Sequence, residues 1–544
     1  MDDFWHSTKA LVQTISPIHI GSGDKLTPLS YIYKNKTAIA INEEHLLRWI
    51  KGNPALTSEF ITLAERGGNL HTFLNNKGLE PEKLALYALE TNTPHEPNEI
   101  LSFIKSMDSL PYLPGSSLKG CLRSALLRGI VVSNPSLADD FAEIVEDCAY
   151  STNRKEHNSI SETIQAKVFV NADVNRSKYS NFDLNRALIV GDSVPIDINK
   201  FEVAEVRILS VQMNGRLEFK GRNNSPVVVY IETPKLRSTF RLSLRRDLRL
   251  LDSNGLAKEL NTSDLASLMV NLTGYCRIAG FELIEQEIEF YHRHGRGDLA
   301  GWFEGKRDAL LSRDDLFILP IGWGSGYDAK TITDQLGYEA YDAVVENYRN
   351  TAGLGKPGNS SANPWLGPNE SPKSRKVVVR EDGTVEPIGW VVIKLDPIGK
   401  VSEEWLSLTK ENAPPQMPSP QALADRRIFL NQGPESAELI PPGPEITEPV
   451  NELQHEKPSR MVFRFTSLPI PGDRFRGLVL TTDDPSGVYV EIPGLSPDDQ
   501  AMAFIDHKDI HQQLMEDEVI ICEVIDVKPD PEQNGLMLVK CILV

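Results

Sequence analysis

The chain lacks any apolar run long enough to span a membrane, and its first residues, MDDFWHSTKA, lack the basic segment and apolar core of an export signal. A cytoplasmic protein without membrane contact is expected. Cysteine is scarce: Cys121, Cys148, Cys276, Cys522 and Cys541 make five, widely scattered and without a CxxC pair. That excludes a disulfide framework and a cysteine-based zinc site. The two histidines of Tyr291–Gly297 (YHRHGRG) stand two apart, but no carboxylate or cysteine at ligand spacing completes a metal site. No metal and no cofactor are expected. Basic residues are also in deficit, 57 Lys and Arg against 76 Asp and Glu, for a net charge of −19. A net basic balance would have announced a nucleic-acid binder. The deficit is uneven: from Val401 onward there are 25 acidic and 11 basic residues, which leaves 51 and 46 in the first 400. The larger, nearly balanced part can still carry a basic groove.

What is present is length for about three to four domains and one informative helix signal. Leu110–Arg128 reads LPYLPGSSLKGCLRSALLR. Pro111, Pro114 and Gly115 keep the approach extended and then turn it, and Ser116 is placed to cap the helix. Leu118, Cys121, Leu122, Ala125 and Leu126 then form one apolar stripe. Lys119 and Arg123, four apart, flank it. Such a helix start, with small residues, free N–H groups and two cations, suits a phosphate; the same pattern also fits an ordinary capped helix with solvated charges.

Before this helix the chain reads as a strand over Ala10–Ile20, a turn at Gly21-Ser22-Gly23, a strand over Tyr31–Ile41 and a helix from Asn42 to Lys51. His19, beside GSGDK, fits a general base, a phosphate contact or a structural histidine. Leu56–Met107 reads as polar and helical. After the signature helix, Asp139–Tyr150 is helical, Ser151–Ser161 a loop, and Lys167–Val174 and Ala187–Ile198 strands; Glu202–Met213 and Pro226–Thr233 continue the β content. Arg237–Arg249 (RSTFRLSLRRDLR) has arginines every four residues, yet Phe240, Leu242 and Leu244 alternate with polar neighbours. The alternation predicts a strand with one basic face. Phe317–Leu336 (FILPIGWGSGYDAKTITDQL) runs a buried strand into Gly322, Gly324 and Gly326, with Lys330-Thr331 opening a helix. A Walker loop needs glycine where Ala329 stands, so a turn that lets backbone approach another polyanion fits better. Asn350–Pro372 reads as a long loop. Lys376–Arg380 and Gly389–Leu395 (GWVVIKL) predict a terminal hairpin. Asp396–Ser459, rich in Pro and Glu, predicts a tether with a helix near Gln421–Leu430.

Beyond Arg460, strands are legible at Phe475–Thr481, Val488–Ile492, Ala501–Ile505, Glu518–Val527 and Leu536–Val544. Five strands suit an OB-type barrel, and their phrases resemble S1-like and cold-shock-like domains. Tyr489, Phe504 and His507 are candidate stacking residues for single-stranded nucleic acid; an acidic barrel used for protein contacts is the competing reading.

PYLPGSSLKGCLRSAL resembles the signature of the RAMP proteins of CRISPR systems. TISPIHIGSGDKLTPLSYIY, LIVGDSVPI, IGWGSGYDAKTI and SPKSRKVVVREDGTVEPIGWVVIKL resemble, in order and spacing, phrases of the fifth-subunit family of the type III-A (Csm) effector complex. The resemblance covers Leu11 to Leu395. It implies an α+β architecture of ferredoxin-like (RRM-like) units with glycine-rich loops, to which the C-terminal all-β, OB-like barrel is added. The expected organisation is one RAMP unit over 1–200 with a helical insertion, a second over 201–396, a linker over 397–459 and the barrel over 460–544. The family implies a non-catalytic role: covering the 3′ part of the CRISPR RNA, supporting its maturation through host nucleases, and contacting backbone and small subunits, with target RNA a further partner. Cutting paralogues use an Asp in the first loop with a divalent metal; Asp24, directly after the glycines, does not match that register. Carried over residue by residue, RNA contact falls to His19, Gly21, Gly23 and Lys25; to Ser116, Ser117, Lys119 and Arg123; and to Gly322, Gly324, Gly326 and Lys330. Arg241, Arg245 and Arg375 join them on charge alone. The competing enzymatic readings are a metal-independent endoribonuclease using His19 or His294 on precursor CRISPR RNA and an NTPase using Lys330.

Overall fold

The computed structural model describes residues 4–149, 154–170, 179–212, 214–222, 225–251, 265–337, 340, 372–398, 402–412, 414–424, 460–461, 469, 471, 473–481, 487–490, 492, 501–506, 508, 519–529 and 537–543. Two compact units are present, Met1–Ala437 and Glu438–Val544.

The first unit begins with β1 (Trp5–Thr14), β2 (Gly21–Leu26), β3 (Tyr31–Lys34), β4 (Thr37–Ile41), β5 (Ala85–Thr91) and β6 (Ile100–Phe103). It continues with β7 (Leu188–Val190), β8 (Phe201–Val211), β9 (Leu217–Phe219), the short pair β10 (Gly221–Arg222) and β11 (Ser225–Pro226), β12 (Val228–Pro234) and β13 (Thr239–Asp247). The last strands are β14 (Leu316–Pro320), β15 (Ser374–Val379), β16 (Val385–Pro387) and β17 (Trp390–Pro397). One antiparallel sheet has the order β14-β17-β1-β13-β7. The other has the order β2-β6-β12-β8-β5-β4-β3, with β15 and β9 also on β8 and β16 on β15.

Alternation explains the first sheet. Ala10 and Val12 on β1, and Phe240, Leu242 and Leu244 on β13, point inward and share one core with Leu118, Leu122 and Leu126 of the Gly115–Ser133 helix. Lys9, Gln13, Arg241, Ser243 and Arg245 point outward to solvent. One wetted and one covered face is the usual state of an antiparallel sheet. The Arg237–Arg249 segment is thus the strand with a basic face that its alternation predicts.

Several local expectations are corrected by long-range pairing. Both sheets draw strands from either side of residue 200. The segments read as a terminal hairpin lie apart: β15 pairs with β8 and β16, whereas β17 pairs with β1 and β14. The stretch after Leu56 is helical only over Pro54–Glu65 and Leu70–Asn76 before it enters β5 and β6. Arg154–Phe169 is a helix, where a loop and the start of a strand were expected; 171–174 lie outside the described residues. The tether begins with a docked helix, Glu403–Glu411, whose Trp405 ring stacks on His6 at 3.9 Å. The loop expected over 350–372 and the tether from 425 onward lie almost wholly outside the described residues.

The second unit holds β18 (Arg460–Met461), β19 (Asp473–Thr481), β20 (Gly487–Val490), β21 (Ala501–Asp506), β22 (Val519–Pro529) and β23 (Met537–Leu543). Pairing runs β19-β20-β21-β23-β22 and returns to β19, with β21 and β23 parallel. Five of its strands thus close on themselves in a small all-β unit, with strands where the sequence predicts them.

Candidate nucleic-acid interface

The segment after β1 is a junction of backbone hydrogen bonds. The Trp390 carbonyl accepts from Ile15 N–H, and Gly389 N–H donates to the Pro17 carbonyl at 2.7 Å. Trp323 N–H donates to the His19 carbonyl at 2.8 Å, and Ile104 N–H to that of Ile20 at 2.9 Å. The first glycine loop and the late one, far apart in sequence, are therefore held side by side. Gly322 makes this possible: its φ is +78°, and a Cβ there would collide with the His19 carbonyl. At that position the backbone needs both the left-handed conformation and the missing side chain.

His19 itself is only 2% exposed. Its Nδ1 donates to the Glu232 carbonyl at 2.9 Å, and its ring meets Phe103 and Trp323 edge-on. Burial pushes its pKa down, so the ring is neutral, with Nδ1 protonated toward the carbonyl. The imidazole is buried beneath the loops, held by the Glu232 carbonyl. His294, the other base of the nuclease reading, is buried as well, with Nδ1 donating to the Gly215 carbonyl at 2.6 Å.

Gly21, Gly23 and Lys25 are solvent-exposed on β2, an edge strand. Lys25 meets Glu99 at 2.6 Å, with both side chains about half exposed, an ion pair of small energetic weight. On the late loop, Gly324 and Gly326 also have positive φ, and Lys330 is exposed. No α-helix opens at Lys330-Thr331. Asp328–Lys330 is one 3-10 turn, so the helix N-terminus that a nucleotide-binding loop requires is missing at this place.

The signature helix starts two residues earlier than expected. Pro114 is its N-cap, Ser116 makes no cap, and Gly115 N–H donates to Asp192 Oδ1 at 2.7 Å. Asp192 belongs to LIVGDSVPI, whose Ser193 exchanges hydrogen bonds with Leu113. The two motifs zip together at a distance only glycine allows, because a Cβ on Gly115 would collide with the Val190 carbonyl. A carboxylate therefore sits where a phosphate was expected. Ser116 is exposed and Ser117 half-buried. Lys119 Nζ donates to the Leu188 carbonyl at 2.7 Å, and burial lowers its pKa. Arg123 pairs with Asp183 at 2.7 Å, donates to Gln165 at 2.8 Å and covers the Phe169 ring. Both cations hold the helix to its own protein. Arg375 is likewise internal, bound through Nε to both oxygens of Glu287 and lying 4.0 Å over Phe290. Arg241 and Arg245, by contrast, face solvent.

A family model for the RAMP superfamily matches residues 11–293, just over half of the chain. The chain belongs to the RAMP superfamily. A curated relative, the CRISPR system Cms protein Csm5 of Streptococcus thermophilus, is 27% identical over 162 residues, 27% of this chain and 45% of that protein. Its namesake from Enterococcus italicus is 24% identical over 143 residues, 21% of this chain and 41% of the relative. The match thus spans less than half the length of either curated relative. A chain in the cryo-EM structure of a Csm–crRNA–target RNA ternary complex of a type III-A CRISPR–Cas system covers 71% of this chain and 100% of itself. It shares the fold, with a TM-score of 0.51 at 21% identity.

In this RAMP chain the structure gathers the two glycine loops and separates them from the cations of the signature helix. Sequence reasoning missed three residues. Lys376 lies over the half-buried Trp323 ring at 5.1 Å, and burial and then the charge of Lys330 lower its pKa. The tryptophan inside GWGSG and the place of Lys376 in SRKVVV were the available signals. Arg128, only 2% exposed, binds Glu282 and Asp334 and two carbonyls of the late loop. It gave no signal, because its partners come far later in the chain. Among the described residues, no group of three or more His, Cys, Asp or Glu could hold a metal. No helix there is long and apolar enough to cross a membrane. In the barrel, Tyr489 pairs with Phe504 across β20 and β21, their rings 5.2 Å apart; His507 lies outside the described residues.

Proposed function

We propose that this chain is a non-catalytic RNA-binding subunit of a type III-A CRISPR ribonucleoprotein, the counterpart of Csm5. In this reading it holds the 3′ part of the CRISPR RNA, supports its maturation and antiviral defence, and meets backbone and small subunits, target RNA and host nucleases. The observation that carries it is the clasp between Trp323 N–H and the His19 carbonyl, which sets the exposed first glycine loop, with Lys25, beside the half-buried late loop, with Lys330 and Lys376. Glycines open backbone N–H groups to phosphate oxygens, and lysines add salt-dependent affinity without reading sequence. The RNA contacts proposed are Gly21, Gly23, Lys25, Ser116, Gly322, Gly324, Gly326 and Lys330, joined by Trp323 and Lys376.

The test is purification from cells that carry a matching CRISPR array, followed by sequencing of bound RNA. Small RNAs with a uniform 5′ end and staggered 3′ ends are expected. Absence of such RNA from both chain and complex overturns the reading. Incubation with precursor RNA in chelator decides against the nuclease alternative when the RNA stays intact.

A further inference from the structure

The outer face of β1 and β13 is wet, although β14 of the same sheet is buried along its whole length. Its side chains follow from the register. Across β1 and β13 the outward pairs are Gln13 with Thr239, Leu11 with Arg241, Lys9 with Ser243 and Ser7 with Arg245. The row begins at Gln13, beside the junction that holds the glycine loops, and ends at Trp5 on the far side of the sheet. At that end the Arg245 guanidinium lies 5.3 Å over the Trp5 ring and that of Arg249 5.4 Å over Phe4, which is 49% exposed. Ile189 on β7, paired with Arg245, is also exposed.

The charges on this face differ from those of the whole chain. Among the described residues, Lys9, Arg241 and Arg245 pair with no carboxylate, in a protein of net charge −19. Arg249 is matched by Asp247, and Lys394, on β17 beside Leu11, by Asp315 and Asp396. Three cations without an ion pair lie on two neighbouring strands, with Asp396 the register partner of Lys9 on β17. They are flanked by small hydroxyl and amide side chains and end at exposed aromatic and guanidinium planes; they complement a polyanion that also carries rings. Single-stranded nucleic acid has both properties: phosphates for the cations and bases to stack at the end.

We infer that this face is a track for single-stranded RNA, running from the glycine loops along β1 and β13 to a stacking terminus at Phe4, Trp5, Arg245 and Arg249. From Gln13 to Trp5 the strand rises about 27 Å at ~3.4 Å per residue. That accommodates about four nucleotides, the lower end of single-strand site sizes. The inference rests on the RNA-binding reading above and gives that RNA a path.

The experiment uses the full chain and labelled oligouridylates of graded length. The triple variant Lys9→Glu, Arg241→Glu, Arg245→Glu is expected to bind the longer oligomers at least tenfold more weakly. Its plot of log affinity against log salt loses about 2 from its slope, at ~0.7 per lost cation. Phe4→Ala weakens the longest oligomer about fivefold, the effect of one lost stack of ~1 kcal/mol. Because the three cations are exposed, melting temperature stays unchanged; Lys9→Gln, Arg241→Gln, Arg245→Gln gives an intermediate loss without charge reversal. Wild-type affinity in the triple variant, together with weakened binding in Lys25→Ala, Lys330→Ala, overturns the track and leaves the loops standing. No binding by the wild-type chain and its complex overturns the RNA reading itself. Normal RNA affinity with failed incorporation into a larger assembly makes the face a protein interface and overturns the inference.

Discussion

Arg128 and Asp334, 206 positions apart, share two hydrogen bonds, NH1 to Oδ2 at 2.7 Å and NH2 to Oδ1 at 2.6 Å. NH1 also donates to Glu282, and NH2 to the carbonyls of Asp328 and Thr331. One guanidinium thus fastens the signature helix to the segment that follows the late glycine loop. Removing it leaves buried carboxylates and carbonyls without a donor. Arg128→Ala is expected to destabilise the first unit by about 3–5 kcal/mol, read as a fall in melting temperature. Arg128→Lys recovers little, because an ammonium cannot reproduce the planar fork.

Asp328 gives the same region a pH dependence. Burial, first, and the nearby Asp334 carboxylate raise its pKa to about 7, against the lowering pull of Arg375 and Arg128. A carboxyl whose folded pKa lies above its unfolded value binds its proton more tightly in the folded state. Its contribution is complete below about pH 3.8 and is lost as pH rises through about 7. Asp328→Asn keeps the shape without the charge. The melting-temperature difference, variant minus wild type, is expected to be larger at pH 8 than at pH 5; an equal difference at both shows that Asp328 titrates normally.

His6 works in the opposite sense. Its ring stacks on Trp405, and burial, followed by the charge of Arg246, lowers its pKa to about 4. Stability is therefore full above about pH 6.5 and lost as pH falls toward 4. Acidification should release the Glu403–Glu411 helix early, seen as increased Trp405 solvent quenching, and His6→Gln should flatten that response.

Two glycines of the late loop separate conformation from crowding. Gly322 and Gly326 both have positive φ, but a Cβ collides with the His19 carbonyl at Gly322 and meets nothing within 4 Å at Gly326. Gly326→Ala is expected to cost about 1–2 kcal/mol, the left-handed penalty alone. Gly322→Ala should cost more and weaken RNA retention, because it breaks the clasp. Equal melting temperatures for the two variants contradict the clasp.

The cations of the signature helix and of the loops should also divide by phenotype. Lys119→Met with Arg123→Met is expected to lower the melting temperature while leaving the salt dependence of RNA binding unchanged. Lys25→Ala with Lys330→Ala should leave melting unchanged and reduce the slope by about 1.4. The reverse pattern restores the signature helix as an RNA contact.

What was legible followed from short periods. The basic face of β13 came from alternation, and the barrel strands from turn-bounded β-branched runs, because each depends on neighbours within about ten residues. What covers a face is not local. The stripe beside Lys119 and Arg123 marked a helix flank correctly, but the Leu188 carbonyl and Asp183 that occupy those cations come some sixty residues later. Asp192 took the helix N-terminus for the same reason. β15 and β17 looked like a hairpin because nearness in sequence favours one, yet the bond from Trp390 N–H to Ser16 Oγ spans 374 positions.

The place of β1 also sets an order of events during synthesis. It leaves the ribosome before both of its partners, β13 and β17. At roughly 5–20 residues per second, the chain reaches Trp390–Pro397 about 20 to 80 s after β1 emerges. Through that interval a strand with an apolar inner face has no permanent second neighbour, and closing so long a loop makes the pairing slow. The nascent chain therefore depends on holding factors or on early docking of its own helices, and a stall before codon 390 leaves an open sheet edge that invites aggregation.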